Sequence, residues 1–192
     1  MKKIILLIMV ILLTGCGKGN VEELGQNLKQ MELYGNLVTY QAYYHNVIEY
    51  EKKAGSGVTH LLEQDRELFV EYKGTIKLGI SLDEVTIDVQ GNEINVKIPK
   101  AKVIGDPNID EDSFKEENFM ESKDTGLNKN PITADDSSKA LKQAQEEMKK
   151  NAQEDQELLK LAQNRAKIVL EENIRQFSML KENQYVINWK LD

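Results

Sequence analysis

Oxygen-bearing side chains recur at alternate positions in the acidic segment between Asp106 and Glu117. They fall at positions 1, 3, 5, 7 and 12, the ligand spacing of an EF-hand-type calcium loop. The five are Asp106, Asn108, Asp110, Asp112 and Glu117. Such a loop needs glycine at its sixth position, where this chain has Glu111, and Pro107 restricts its start. The segment is therefore a weak calcium candidate, and the alternative is an acidic surface loop with Asx-type turns.

The two histidines, His45 and His60, lack the neighbouring ligands that a zinc site needs. His45 falls on the polar face of a predicted strand, which is typical of a surface residue. The sequence also lacks the Gly-x-Ser-x-Gly motif and the glycine-rich phosphate-binding motifs of common enzymes. We therefore expect no cofactor, no resident metal and no enzymatic activity, and an envelope hydrolase is the least favoured alternative.

The only cysteine, Cys16, follows a basic start and an apolar run from Ile4 to Leu13. This layout is typical of a secretory signal peptide, and Leu13-Thr14-Gly15-Cys16 resembles the lipobox of bacterial lipoprotein precursors. A transmembrane helix is the alternative, but it needs about 20 apolar residues. We therefore expect residues 1–15 to be a signal peptide, cleaved before Cys16, and the Cys16 thiol to be diacylated.

Lipidation at Cys16 would hold the protein on the extracytoplasmic face of a bacterial cell membrane, with residues 16–23 as the lipidated cysteine and its tether. Two acyl chains make a durable anchor, because each buried CH₂ contributes about 0.8 kcal/mol. The net charge of −7 argues against a nucleic-acid partner, which requires a basic surface. It also argues against electrostatic adhesion to anionic lipid.

Apolar and polar residues alternate along 37–50, 67–80 and 185–191, the period of a strand with one buried face. Two further apolar segments flank Gly91-Asn92, which suits a two-residue hairpin turn. That turn predicts three cross-strand pairs on one face. The pairs are Val89 with Ile94, Ile87 with Val96 and Val85 with Ile98. We expect an antiparallel sheet, with a bend at Pro99.

Five tyrosines lie in or just before the first predicted strand, where they could form an aromatic binding face or place their rings in the core. They are Tyr34, Tyr40, Tyr43, Tyr44 and Tyr50. The alternation favours the core for all except Tyr43, which shares the polar face with His45. The opposite, apolar face of this strand is predicted to include Val38.

Residues 105–131 read as a long surface loop, after which Thr133 and Asp136 form a capping signal for a helix. Neither Pro nor Gly interrupts the chain from Ala134 to about Lys181, so an unbroken helix would be ~70 Å long. It must therefore bend, break or project. Its first half carries only a thin apolar strip, predicted to attach loosely and to pair with a partner helix: Leu141, Ala144, Met148 and Ala152. The alternative is a solvated helix held by i,i+4 charge pairs.

The chain as a whole resembles an uncharacterised family, catalogued as domain of unknown function 4230. The likeness rests on the strand Glu67–Ile80, the run Val96-Lys97-Ile98-Pro99-Lys100-Ala101-Lys102-Val103-Ile104, the acidic loop with Ile109-Asp110, the long helix and the closing strand. It extends over about residues 24–192. Members often follow a membrane or lipid anchor, and the family has no established activity, so the resemblance implies a fold and no catalytic residues.

We therefore expect residues 24–192 to form a single α+β domain. Its antiparallel β-sheet would be covered by one long C-terminal helix, over about 134–181, and the chain would end in a short strand. These patterns favour a non-enzymatic, lipid-anchored interaction or envelope-assembly module with an unidentified protein partner. A small-ligand or solute-binding lipoprotein is the alternative, although a single sheet does not suggest a two-lobed cleft.

Overall fold

The computed structural model of the chain describes residues 33–121, 128–179 and 185–192. The predicted signal peptide, Cys16 and its tether lie outside the described residues. The α+β class is confirmed, with antiparallel strands, two long helices and a C-terminal strand. The described residues form two compact units. Of the described residues, the ribbon unit comprises 36–81, 100–121 and 128–166, and the three-stranded unit comprises 33–35, 82–99, 167–179 and 185–192.

The ribbon unit is built on two long antiparallel strands, β1 (Asn36–Lys52) and β2 (Arg66–Ser81). The alternation in the sequence is confirmed, because one face of β2 is almost completely excluded from solvent. The large side chains on that face are Leu68, Val70, Tyr72, Ile76, Leu78 and Ile80. The opposite face carries Glu71, Lys73 and Lys77, which are exposed.

A β-bulge between Val38 and Tyr40 shifts the register of β1. Val38 is consequently exposed, and its predicted place on the apolar face is wrong because the extra residue turns it outward. Gly79 lies opposite the bulge, where a Cβ would stand 1.9 Å from the carbonyl oxygen of Leu37. Only glycine admits this approach of the two backbones.

The segment predicted as a plain surface loop is instead attached along the other edge of β2. Three short strands pair with β2 in turn: β5 (Lys102–Val103), β6 (Asn108–Ile109) and β7 (Met120–Glu121). Ile109, Phe114 and Phe119 are buried. The loop prediction failed because these isolated apolar residues carry no periodic signal, yet each fills a position beside the long strand.

Helix α1 (Ala134–Glu154) begins with the predicted capping box, in which Thr133 and Asp136 exchange backbone and side-chain hydrogen bonds. It packs on β1, β2, β5 and β6. The helix backbone comes close to β2 because its inward face is mostly alanine and because β2 has Gly74 there. A Cβ at Gly74 would lie only 2.5 Å from Met148 Cε.

The long helix predicted from Ala134 to about Lys181 breaks at Asp155. Helix α2 (Gln156–Met179) starts anew, because the Asp155 carboxylate accepts hydrogen bonds from the backbone N–H groups of Glu157 and Leu158, both at 3.0 Å. In the ribbon unit, Thr39 donates to the carbonyl of Ala162 at 2.7 Å. These contacts hold the start of α2 against β1.

The three-stranded unit has the strand order β3 (Thr86–Gln90), β4 (Glu93–Ile98) and β8 (Val186–Leu191). The Ile87–Val96 and Val89–Ile94 pairs are confirmed, whereas Val85 precedes β3 and has no place in its ladder. β8 pairs with β4 in parallel, which the sequence did not indicate. In α2, Leu170 and Ile174 are buried, and Lys167 lies over the ring of Trp189 at 5.6 Å.

Asp136 joins the first turn of α1 to the end of β1. Its carboxylate, which is 5% exposed, accepts hydrogen bonds from Lys52 Nζ at 2.5 Å, the Thr133 hydroxyl at 2.6 Å and the Tyr50 hydroxyl at 3.2 Å. Burial by itself raises the pKa of Asp136, but the hydrogen bonds from Lys52 and Thr133 outweigh it and lower the pKa to about 2.

Replacing Asp136 by Asn is expected to lower the free energy of unfolding by about 3 kcal/mol at pH 7, because the largely covered Lys52 ammonium would lose its carboxylate partner. The native pKa of about 2 lies below the ordinary value of 3.8, so the stabilisation is complete above about pH 4 and is lost as the pH falls toward 2. This contribution is about 2 kcal/mol. Urea unfolding followed by circular dichroism between pH 5 and pH 2 measures it.

The difference in the free energy of unfolding between the wild type and Asp136→Asn should therefore become smaller as the pH falls from 5 to 2. A difference that stays constant would contradict the assignment. Asp135→Asn is the matched control, since Asp135 is exposed and pairs with Lys139 on the surface of the same turn. That variant should unfold nearly as the wild type does at each pH.

Candidate binding groove

The outward face of the β1–β2 ribbon carries the polar residues that α1 does not cover. Tyr43 lies opposite Thr75 and His45 lies opposite Lys73 in the strand register, so the four side chains share this face. Tyr43 is 81% exposed. The face is open because the alternation that buries one side of each strand leaves the other side in water.

An open groove of about 650 Å³ lies on this face, between the ribbon and residues 108–111. Its lining includes Tyr43, His45, Lys73, Ile109 and Asp110. A second hollow of about 440 Å³ shares three of these residues and continues toward Met120. The two form one elongated surface within the ribbon unit, which we call the groove.

Backbone pairing brings the two sides of the groove together. β6 pairs with β2 at Gly74 and Thr75, and the backbone N–H of Asp110 donates to the carbonyl of Lys73 at 2.9 Å. Residues distant in sequence are therefore held side by side. The Asp110 carboxylate caps the 3₁₀ turn Glu111–Phe114, since it accepts a hydrogen bond from the backbone N–H of Asp112 at 3.2 Å.

Some charged side chains of the groove have an ion-pair partner in the part of the chain that the structure describes, and others do not. His45 is bonded to Glu71 across the strands, whereas Asp112 and Lys115, which do not line the groove, pair with each other at 3.0 Å. Among the described residues, no ion pair or side-chain hydrogen bond involves Lys73, which is exposed. Its ammonium is therefore available to an anionic or carbonyl group of a ligand.

Aromatic groups supply the remaining chemistry of the groove. Burial, followed by the nearby carboxylate of Asp155, raises the pKa of Tyr44, so its hydroxyl stays protonated at neutral pH. Tyr43 offers an exposed ring and hydroxyl, a combination that suits binding surfaces. Within the described part of the chain, neither Thr75 nor Ser113 hydrogen-bonds to His45, so the groove shows no hydroxyl–histidine pair of the kind that activates a nucleophile.

The predicted calcium ligands do not converge. Asp106 forms an ion pair with Lys149 at 3.0 Å, and Asn108 belongs to β6. Residues 33–121, 128–179 and 185–192 contain no group of three or more His, Cys, Asp and Glu that could hold a metal ion. The five residues are not arranged as an EF-hand-type loop, because strand pairing and capping direct these oxygens elsewhere. Asp112 and Glu117 each lie in one of the two short 3₁₀ turns that follow β6.

The predicted partner surface on the long helix is also wrong. Ala144, Met148 and Ala152 have no exposed surface, and Leu141 is half-buried. The strip looked thin because alanine contributes little hydrophobicity, yet small side chains are what allow the helix backbone to pack closely on the ribbon. The first half of the long helix is therefore firmly packed and leaves no apolar strip for another helix.

The aromatic and histidine predictions fare better. Tyr43 and His45 are exposed, as the alternation predicts, while Tyr34 is exposed where the core was favoured. His60 pairs with Glu63 at 2.8 Å. A groove residue that the sequence did not single out is Lys73, although the alternation in β2 places it on the polar face of that strand, and Asp110 was singled out for function only as a calcium ligand.

A family model described as "Protein of unknown function (DUF4230)" matches residues 29–183 of the chain. No curated protein and no solved structure shows significant similarity to it. The helices in the described part of the chain include none that is long and apolar enough to cross a membrane.

Because the acidic segment does not form a calcium loop, millimolar calcium is expected to leave the melting temperature unchanged relative to the same concentration of magnesium. Thermal unfolding of the wild type with each ion measures this. The double variant Asp106→Asn/Asp110→Asn is the control and should respond as the wild type does. A rise in melting temperature specific to calcium, and lost in the double variant, would restore the calcium site.

Proposed function

The chain belongs to the DUF4230 family, and from that premise we propose that it is a lipid-anchored, extracytoplasmic binding module without enzymatic activity. In this proposal a diacylated Cys16 holds the protein at the outer face of the bacterial cell membrane. The groove of the ribbon unit engages a protein of the cell envelope. The observation that carries the binding role is that the exposed Lys73, which has no ion-pair partner among the described residues, shares the groove with the exposed ring of Tyr43.

The anchor is supported by the sequence alone. A basic start, an apolar run that ends at Leu13 and the lipobox-like Leu13-Thr14-Gly15-Cys16 fit lipoprotein processing. The absence of any second cysteine fits as well, because lipidation gives this thiol a role that requires no disulfide partner. The net charge of −7 leaves acylation as the main source of attachment.

The binding role is supported by the shape and chemistry of the groove. Its floor is a rigid strand pair and its long axis follows the strands, so it suits an extended segment more than a compact one. Tyr43 and Ile109 supply apolar contact, and Lys73 supplies a charged donor. Tyrosine is among the residues that dominate protein interfaces, and the lysine ammonium adds a donor for an acidic or carbonyl group of the partner.

A small-ligand-binding lipoprotein is the second candidate. The volume of the groove, about 650 Å³, lies within the 300–1,000 Å³ that ligand pockets occupy. The two candidates differ in what occupies the groove, because only a macromolecule gives a crosslinked adduct of higher mass.

The anchor predicts that the wild type incorporates an alkyne-tagged palmitate analogue in cells and partitions into the detergent phase of Triton X-114. Cys16→Ser should lose both properties, since serine provides no thiol for the acyl transfer. Thr14→Ala is the matched control, because a small residue is kept before the cleavage site. Label that persists in Cys16→Ser would contradict lipidation at this residue.

The groove predicts a position-specific crosslink. A photoreactive amino acid at position 43 is expected to give one adduct of higher mass in intact cells, and Lys73→Glu should abolish it by reversing the charge beside it. Both side chains are exposed, so neither change should alter the melting temperature appreciably. Mass spectrometry of the adduct identifies the partner.

The control places the same photoreactive residue at Lys77, which is exposed on the same face of β2 but does not line the groove. Equal adducts from positions 43 and 77, or an adduct unaffected by Lys73→Glu, would contradict the groove as the binding surface. No adduct at either position, with a ligand-dependent rise in melting temperature that Lys73→Glu removes, would favour the small-ligand candidate.

A further inference from the structure

The loop that joins β1 to β2, residues 53–65, exposes three large aliphatic side chains within five positions. Val58 is 86% exposed, Leu61 is 78% exposed and Leu62 is 61% exposed. They lie in and directly after the 3₁₀ turn Val58–His60. Single exposed aliphatic residues are ordinary, but a cluster at the tip of a long hairpin indicates a contact surface.

The polar groups of this loop are used to hold its shape. Asp65 accepts a hydrogen bond from the backbone N–H of Ala54 at 2.8 Å, and Glu63 accepts one from that of Gly55 at 3.0 Å. Lys53 pairs with Asp65 at 3.1 Å, and His60 pairs with Glu63 at 2.8 Å. The charged side chains of the loop are thus paired with one another or with the loop backbone.

Asparagines from the segment before α1 fix the base of the same loop. Asn128 Oδ1 accepts from the backbone N–H of Gln64 at 2.9 Å, and Asn128 Nδ2 donates to the carbonyl of Gln64 at 3.1 Å. Asn130, which is buried, donates to the carbonyl of Lys53 at 3.2 Å. The aliphatic triad is therefore presented by an ordered loop, which lowers the entropic cost of inserting it.

The size of the triad favours a bilayer over a protein as its occupant. Three aliphatic side chains expose on the order of 300 Å² of apolar surface. A stable protein interface needs about 600 Å² or more from each partner. A small apolar cluster is sufficient at a membrane, where it adds to an existing anchor and each buried methylene contributes independently.

The length of chain before β1 permits such a contact. β1 has 17 residues, so the loop lies about 55 Å from the start of the strand. The chain from Cys16 to Asn36 can span up to about 65 Å when extended. An anchor at Cys16 and the tip of the loop can therefore reach the same bilayer.

We propose that the β1–β2 loop inserts Val58, Leu61 and Leu62 into the interfacial layer of a phospholipid bilayer. The loop is then a second membrane contact that fixes the orientation of the ribbon unit. The inference takes from the proposed function only that the protein is held at a membrane, and it is independent of the groove. Carboxylates outnumber cations around the loop, so insertion is apolar and anionic lipid does not strengthen it.

The test uses the lipidated chain in phosphatidylcholine vesicles, with Leu61→Cys labelled by an environment-sensitive fluorophore. Acylation occupies Cys16, so the introduced thiol is the only reactive one. The emission is expected to shift to shorter wavelength and to be quenched by spin-labelled lipid. Val47→Cys, at a position 56% exposed on β1, is the matched control and should show neither effect.

A second variant, Val58→Asp/Leu62→Asp, keeps the proposal falsifiable. Both side chains are exposed, so the fold should persist while the Leu61 label returns to its emission in water. In the Cys16→Ser background, titration with vesicles should give an affinity at least about tenfold lower for this variant. Vesicle flotation of the lipidated chain reports the anchor separately, so failure of the anchor and failure of the loop are distinguishable.

Identical emission from the Leu61 and Val47 labels in protein that floats with the vesicles would overturn the proposal. So would a spectral shift of the Leu61 label that grows with protein concentration in the absence of vesicles, because it would assign the triad to contact with a second copy. Stronger binding to anionic than to zwitterionic vesicles would also overturn the proposal, because it would indicate electrostatic adhesion instead of apolar insertion.

Discussion

A two-stranded ribbon as long as β1–β2 cannot hold itself together in water, because an isolated hairpin is at best marginally stable and needs a cover on one face. Helix α1 supplies that cover through alanines that let its backbone come close to the strands. β2 has Gly74 where the helix comes close, since a side chain there would clash with Met148. The burial of one face by α1 leaves the opposite face open, and the groove is a consequence of that asymmetry.

The ends of this contact are fixed by polar groups rather than by further apolar area. Asp136 binds Lys52 and Tyr50 and so aligns the start of α1 with the end of β1. Asp155 stops α1 and caps α2, whose first turns then lie along β1 through Thr39. An aspartate at each end thus defines which stretch of helix covers the ribbon. A longer unbroken helix would have run past it.

Local patterns in the sequence were sufficient for the long strands β1 and β2, the β3–β4 turn and the start of α1. Alternation places Tyr43 outward, and the Thr133–Asp136 spacing marks the capping box, because both depend on neighbours along the chain. The errors arise where distant residues decide. The burial of Met148 depends on Gly74, which lies in another element, and hydrophobicity alone underrates a stripe of alanines. Tertiary packing therefore decided what periodicity left open.

In the groove, too, some features follow from local sequence patterns and others from contacts between distant residues. The exposure of His45 follows from strand alternation. Its place in the same groove as Asp110 requires β6 to pair with β2, and this pairing of only two residues has no periodic signal in the sequence. The oxygen spacing that resembles a calcium loop fails for the same reason, since Asp106 reaches across to Lys149. Internal pairing engages many charged groups of the ribbon unit, such as His45 with Glu71 and Lys115 with Asp112. The surfaces left for external contact include the exposed Lys73 and Tyr43 of the groove and the aliphatic side chains at the tip of the β1–β2 loop.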